Sequence, residues 1–128
     1  MNFLKKLRNW ENVVQFEAGT VIFSEQDPAD EIYVIISGEV ELTLHGESLG
    51  VEDEAGIIGE MAMIDSATRS ATATALTNVK LARLDREQFT EFVGENSDFS
   101  VHVMVVLANR LRAIDKYIAT QIAAESNT

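Results

Sequence analysis

Short segments rich in β-branched and aromatic residues follow one another through most of the first 84 residues, and they constrain the fold more than any other feature. Turn residues separate them, among them Ala18-Gly19, Ser37-Gly38 and His45-Gly46. Many short strands at regular spacing are typical of a sandwich or barrel. The predicted strand segments are VVQFEAG, TVIFSE, EIYVIISG, EVELTLHG, TATAL and VKLARL.

Helical patterns flank these strands. Apolar residues at helical spacing predict a short leading helix; they are Phe3, Leu4, Leu7 and Trp10. After the last strand, Asp85 is placed to cap a short helix, and the run from Ser100 to Glu125 has no glycine or proline and predicts one long helix. A chain of 128 residues suits one hydrophobic core. We therefore predict a single domain with a leading helix (1–12), a β-roll (13–84) and C-terminal helices (85–124).

Charge and composition exclude several classes of protein. The formal net charge of −11 repels nucleic-acid phosphates, so we expect no direct nucleic-acid binding. The absence of cysteine removes disulfides, thiolate zinc sites and cysteine nucleophiles. The start of the chain does not look like a signal peptide, and no apolar run is long enough to span a membrane. We expect a cytoplasmic protein that does not bind membranes.

Arg69 stands alone in a strongly acidic part of the sequence. The 60 positions before it, Asn9 to Thr68, contain no lysine or arginine and 14 acidic residues. Such an arginine commonly forms a surface ion pair, here with Asp65 or Glu60. Alternatively it binds an anionic ligand, because its planar fork can donate two parallel hydrogen bonds to a phosphate.

The residues around Arg69 favour a ligand with both an anion and hydroxyl groups. Gly59 frees the backbone, and amides near it can bind an anion if they begin a helix. Glu60 can accept hydrogen bonds from hydroxyls, although an acid there can also simply match the helix dipole. Ser70 and Ala71 add a hydroxyl and an amide next to Arg69. This spacing suits a cyclic phosphate fused to a ribose.

The pattern GExAxxxxxxRSA, from Gly59 to Ala71, resembles the phosphate-binding cassette of cyclic nucleotide-binding domains. The resemblance extends over roughly the whole chain, through DPADEIYVIISGEVEL before the cassette and Leu81, Leu84 and Phe89 after it. It implies a mainly β fold: a double-stranded β-helix, or jelly-roll barrel. A short N-terminal helix, a cassette helix within 58–72 and a long C-terminal helix would accompany the barrel.

The resemblance also implies a role for each cassette residue. Arg69 would bind the cyclic phosphate and Glu60 the ribose 2′-hydroxyl. The remaining contacts would be backbone amides of Gly59 and Ala71, the side chain of Ser70, and Met61 and Ala62 on the cassette helix. Two positions depart from the family pattern: Ile58 stands where an aromatic is frequent, and Gln26 where glycine is usual, which puts the local turn in doubt.

The ligand implied is cyclic AMP first, with cyclic GMP close behind, bound by a sensor that has no catalysis of its own and no cofactor. The alternative is a ligand-free module that keeps the fold as a dimerisation or docking scaffold. His45 and His102 are the only histidines, too few for a metal-dependent cupin. The hydroxyl residues near Arg69 lack a nearby histidine or a nucleophile elbow. The run Glu52-Asp53-Glu54 is expected to be a solvated loop.

The long helix carries apolar residues at heptad spacing, which predicts a homodimer through a helix–helix seam. The seam residues are Val101, Met104, Ala108, Leu111, Ile118 and Ile122. Alternatively, this stripe packs against its own roll. Asp115 occupies an a position of the seam; it either fixes register or pairs with Arg112 or Lys116, or it binds the ligand by accepting two hydrogen bonds from guanine. The chain is either a piece of a larger regulator or acts through an effector protein.

Overall fold

The computed structural model describes residues 2–60 and 68–126, which form eight strands and three helices. In chain order the elements are α1 (Asn2–Arg8), β1 (Val13–Phe16), β2 (Val21–Phe23), β3 (Glu31–Ser37), β4 (Val40–Leu44), β5 (Glu47–Glu52), β6 (Ile57–Ile58), β7 (Thr72–Ala75), β8 (Val79–Asp85), α2 (Arg86–Glu95) and α3 (Ser97–Ser126). The six predicted strand segments are confirmed in outline. The sequence patterns did not predict β5 or β6.

The strands form two antiparallel sheets of four. The first has the order β1-β8-β3-β6 and the second the order β2-β7-β4-β5. Strands distant in the sequence are therefore neighbours, with Val14 opposite Leu81 and Val21 opposite Thr74. The described ladders join strands only within each sheet, so the structure shows a two-sheet fold and does not show the closed barrel that was expected.

The two central strands of the first sheet, β3 and β8, are buried on both faces. Along β3, Ile32 and Val34 face the helices and belong to one apolar cluster. Tyr33 and Ile35 alternate with them and belong to a second cluster between the two sheets. A strand covered on both sides needs apolar residues at every covered position, which explains the unbroken run IYVII within β3.

The helices cover the outer face of the first sheet. Phe3 of α1 packs on Phe99 of α3 with ring centroids 5.1 Å apart, and Phe92 of α2 packs on the same ring at 4.9 Å. Helix α2 begins as predicted: the Asp85 side chain accepts a hydrogen bond from the Gln88 amide, and the Gln88 side chain caps the Asp85 amide in return. A capping box of this kind fixes the turn from β8 into the helices.

Helix α3 is continuous from Ser97 to Ser126, as predicted, but only its first part is buried. Val106 is its last buried side chain within the described residues. The predicted seam is exposed; the apolar side chains with more than two fifths of their surface open are Val101, Met104, Val105, Leu111, Ile118 and Ile122. The alternative in which this stripe packs against its own roll is therefore wrong. None of the described helices is long and apolar enough to cross a membrane.

Candidate functional site

Most of the residues singled out around Arg69 line one pocket at the end of the second sheet. The pocket encloses about 280 Å³, its open mouth included. Strands β2 and β4, the chain after β6, the segment before β7 and helix α3 all contribute to it. Its lining residues are Phe23, Leu42, Gly59, Glu60, Thr68, Arg69, Ser70, Ala71 and Arg110.

Arg69 is a buried cation, only 5% exposed, and its backbone is fixed on both sides. Its carbonyl accepts from the Gln26 amide at 2.9 Å, and its own amide donates to the Asp27 carbonyl at 2.8 Å. The guanidinium donates from Nη1 to the carbonyls of Glu31, at 2.7 Å, and Gly59, at 3.4 Å. Within the described residues it forms no ion pair, so its charge is held by neutral groups.

This arrangement bears on the surface ion pair considered for Arg69. The arginine is buried, and Glu60, one of its two candidate partners, pairs with another residue. The other candidate, Asp65, lies outside the described residues. A buried cation is costly without a counter-charge, so this position favours an incoming anion.

Glu60 is buried, and its partner is Arg110 of α3. Arg110 Nη1 donates to Glu60 Oε1 at 2.6 Å, while Nη2 donates to Glu52 at 3.2 Å and to the Ile57 carbonyl at 3.0 Å. The other oxygen, Glu60 Oε2, is buried without a hydrogen-bond partner among residues 2–60 and 68–126. One oxygen of this carboxylate is thus committed, and the other is unpaired among these residues.

Glu52 corrects one expectation from the sequence. It ends strand β5 and pairs with Arg110, so it is not a residue of a solvated loop. Asp53 and Glu54 do lie in the exposed turn that follows. Glu52, at a partly covered strand end, thus has its carboxylate held by Arg110, whereas Asp53 and Glu54 are exposed.

The other predicted site residues divide into three groups. Gly59 has φ of +79°, and a Cβ there would run into the Arg69 guanidinium, so glycine is required both for the turn and for the close approach. Ser70 is exposed at the pocket and Ala71 is half-buried in its wall. Met61 and Ala62, with the expected cassette helix, lie outside the described residues.

Asp115 is not brought to the pocket. It is exposed on α3, more than one turn beyond Arg110, and is not among the lining residues. Neither of the ion pairs considered for it, with Arg112 or Lys116, is present in the described part of the chain. Arg112 instead donates to Asn109 at 2.8 Å.

Arg110 is the site residue that the sequence patterns missed. It follows Val103 and Val106 at helical spacing on the side of α3 that faces the roll, where an apolar residue is expected. A cation among apolar residues that face the roll indicates that an acidic side chain lies opposite it. The sequence contains this indication, but it does not show that the acid is Glu60, which is 50 residues away.

The histidines have local contacts. His102 shares a hydrogen bond of 2.6 Å with the Ala55 carbonyl, and exposed His45 lies 3.3 Å from Glu25. Across the described residues, no three metal-ligating side chains come together. The pocket therefore combines a buried cation with a carboxylate that has one unpaired oxygen, a combination that can hold a ligand with an anionic group and hydroxyls.

Comparison with known proteins identifies the family. Residues 13–96 match the model of the cyclic nucleotide-binding domain, which is more than half of the chain. The chain therefore belongs to the cyclic nucleotide-binding domain family, and the resemblance drawn from GExAxxxxxxRSA is confirmed.

Individual relatives agree with this assignment. The chain is 29% identical over 114 residues to a CRP-like cAMP-activated global transcriptional regulator of Mycobacterium tuberculosis, an alignment that covers 85% of this chain and 51% of the regulator. It is 35% identical over 85 residues to a cAMP-dependent protein kinase regulatory subunit of Emericella nidulans, covering 65% of this chain and 21% of the subunit. The chain thus spans about half of the first relative and a smaller share of the second.

A solved structure supports the fold. The catabolite activator protein of Thermus thermophilus superposes with a TM-score of 0.72 at 25% identity, over 94% of this chain and 59% of that one. The match covers nearly all of this chain. The two-sheet architecture with flanking helices is therefore shared with this activator.

Proposed function

We propose that this domain binds a 3′,5′-cyclic nucleotide, with the phosphate on Arg69 and the ribose on Glu60. The observation that carries the proposal is the buried Arg69 guanidinium, which has no carboxylate partner among the described residues. A phosphate that enters the pocket supplies the missing counter-charge and can accept two parallel hydrogen bonds. Gly59, Ser70 and Ala71 line the same pocket, and in this proposal the Gly59 and Ala71 amides and the Ser70 hydroxyl add contacts to the phosphate.

The state of Glu60 supports the ribose assignment. A carboxylate directly at a phosphate site would repel the ligand, but Arg110 offsets this charge at 2.6 Å. The unpaired oxygen, Oε2, supports this assignment, because a ribose 2′-hydroxyl would donate a hydrogen bond to it without adding charge. The ion pair and the open oxygen together allow an acid and a phosphate to share one pocket.

Cyclic AMP is the first candidate and cyclic GMP the second. The names of two relatives refer to cyclic AMP: one is a cAMP-activated regulator and the other a cAMP-dependent kinase regulatory subunit. Two features favour a guanine: the Ser70 hydroxyl at the pocket and Asp115 on α3, whose carboxylate can accept two bonds from guanine N1–H and the 2-amino group. Since Asp115 lies outside the pocket here, contact with the base requires α3 to move toward it.

The proposal extends to the assembly and its output. We infer a double-stranded β-helix, or jelly roll, supported by eight strands in two four-stranded sheets whose chain crosses repeatedly between them. The exposed heptad stripe on α3 supports a homodimer. In this proposal the domain is a cytoplasmic, non-enzymatic sensor that passes its state to an attached domain or a partner protein, and the charge of −11 argues against direct nucleic-acid contact.

Thermal melting with cyclic AMP, cyclic GMP and linear AMP tests the proposal. A ligand that binds only the folded state adds about 2.7 kcal/mol at a hundred times its dissociation constant. We expect cyclic AMP to raise the Tm clearly, AMP to have little effect, and Arg69→Gln to remove the response. If neither cyclic nucleotide shifts the transition, the site does not bind them, and the ligand-free scaffold becomes the better account.

A further inference from the structure

The Arg69 guanidinium lies over the aromatic ring of Phe23. The guanidinium carbon lies 4.3 Å from the centroid of Phe23 and 5.7 Å from that of Tyr33. The two rings are stacked, 6.2 Å apart with 21° between their planes. Both distances lie inside the range of about 6 Å in which a ring face attracts a cation. Phe23 is buried, so water competes little for this contact.

The Tyr33 phenol next to the Arg69 guanidinium is uncharged. Burial raises the pKa of the Tyr33 phenol above its ordinary value, and nearby Glu31 raises it further. Tyr33 is therefore protonated at neutral pH and does not act as a counter-ion. Glu31, whose carbonyl accepts from Arg69, has its carboxylate engaged with Arg83 at 3.1 Å.

These contacts hold the arginine without cancelling its charge. A carboxylate in place of Phe23 would fix the guanidinium as well, but it would compete with any anionic ligand. The chain supplies many such competitors, with 14 acidic residues between Glu11 and Asp65. Without the ring, the guanidinium can turn toward one of these carboxylates. Only the fraction of molecules whose guanidinium still faces the anion site then binds the ligand, so the apparent affinity is weaker.

We propose that Phe23 is a positioning residue, which uses its ring face to keep the Arg69 guanidinium buried and aimed at the anion site. This role rests on the proposed function, because it concerns how the phosphate is received. It differs from a packing role in one measurable respect. Packing alone changes the stability of the fold, whereas positioning also changes the affinity for the ligand.

The first experiment measures cyclic AMP affinity by calorimetry for wild type, Phe23→Leu and Phe23 replaced by mono-, di- and trifluorinated phenylalanine. Leucine keeps an apolar side chain but has no ring, and we expect roughly tenfold weaker binding. Fluorine withdraws charge from the ring face at nearly constant shape, so affinity should fall stepwise with each fluorine. Phe92→Leu is the matched control: this ring is equally buried among the helices, and its loss should lower stability and leave the affinity unchanged.

The second experiment needs no nucleotide. Unfolding free energies of wild type, Phe23→Leu, Arg69→Gln and the double variant give the coupling between the two side chains. We expect a favourable coupling; additive effects would overturn the contact. An unchanged affinity in Phe23→Leu, or no trend with fluorination, would overturn the positioning role while the proposed function stands. A wild type that binds no cyclic nucleotide would overturn both, even with the coupling intact.

Discussion

Replacing Gln26 by glycine should stabilise the domain, because this residue holds a left-handed backbone conformation with φ of +73°. The turn is needed there: the Gln26 amide donates to the Arg69 carbonyl at 2.9 Å and so helps to fix the pocket arginine. For a residue with a Cβ this conformation costs about 1–2 kcal/mol. Glycine avoids that cost and keeps the amide.

The greater backbone freedom of glycine in the unfolded state reduces this gain in stability. Glycine loses more backbone freedom on folding, worth about 0.5–1 kcal/mol relative to alanine. Taking the middle of each range leaves about 0.75 kcal/mol in favour of glycine. With an entropy of unfolding near 2.1 cal/mol/K per residue, 128 residues give about 0.27 kcal/mol/K, so we expect the Tm to rise by roughly 2–4 °C.

Urea unfolding and thermal melting of the nucleotide-free protein provide the measurement, with two controls. Gln26→Ala keeps the strained backbone and removes only the exposed side chain, so its stability should match wild type. Gly19→Ala is the converse: Gly19 has φ of +88° and open space around an added Cβ, so the change should destabilise by strain alone. The reasoning is refuted if Gln26→Gly gives no gain, or if Gln26→Ala gives the same gain.

Four further predictions concern the pocket and α3. Arg69→Ala should abolish detectable cyclic nucleotide binding and keep the fold, a loss of about 2–5 kcal/mol in titrations, and Arg69→Lys should also bind poorly because a point charge does not reproduce the fork. Arg110→Met should lower the unfolding free energy by about 3 kcal/mol, since it leaves the buried Glu60 charge unpaired; an unchanged urea midpoint would contradict the ion pair. Leu111→Glu should convert a dimer to a monomer in sedimentation without loss of helix, whereas a monomeric wild type at high concentration would remove the dimer. Asp115→Ala should weaken cyclic GMP selectively, and equal affinities before and after the change would leave this residue a structural role.

The sequence predicts those elements whose buried positions leave a regular apolar pattern along the chain, or whose ends are set by nearby residues. β3, β4 and β8 have apolar residues wherever the structure buries them, and Asp85 begins α2 through chemistry within four residues. β5 escaped prediction because it is an edge strand, ESLGVE, with polar side chains and a glycine, and it pairs only with β4. β6 has two residues, too few for any periodicity.

The site divides along a similar line. The cassette pattern located Gly59, Glu60 and Arg69 because these residues lie within a short stretch of the chain. It did not reveal Arg110, which reaches the pocket from a distant helix. It did not reveal Phe23 either, because in the sequence Phe23 looks like any other apolar residue of a strand. The partner of Glu60 was likewise out of reach, since it depends on where α3 lies across the roll.

The way α3 is attached to the roll makes it a lever. Beyond Val106 no described side chain of the helix is buried, and its contacts with the roll include the Arg110 ion pairs and a hydrogen bond of 3.0 Å from Gln121 to Glu47. At a rise of 1.5 Å per residue, the last 20 residues extend about 30 Å, so a rotation of about 10° at Val106 would carry the far end through about 5 Å. The exposed hydrogen bond from Gln121 to Glu47 resists such a rotation weakly. Amide hydrogen exchange should therefore quicken beyond Val106, and a change of a fraction of an ångström at Glu60 would reach the end of the helix multiplied many times.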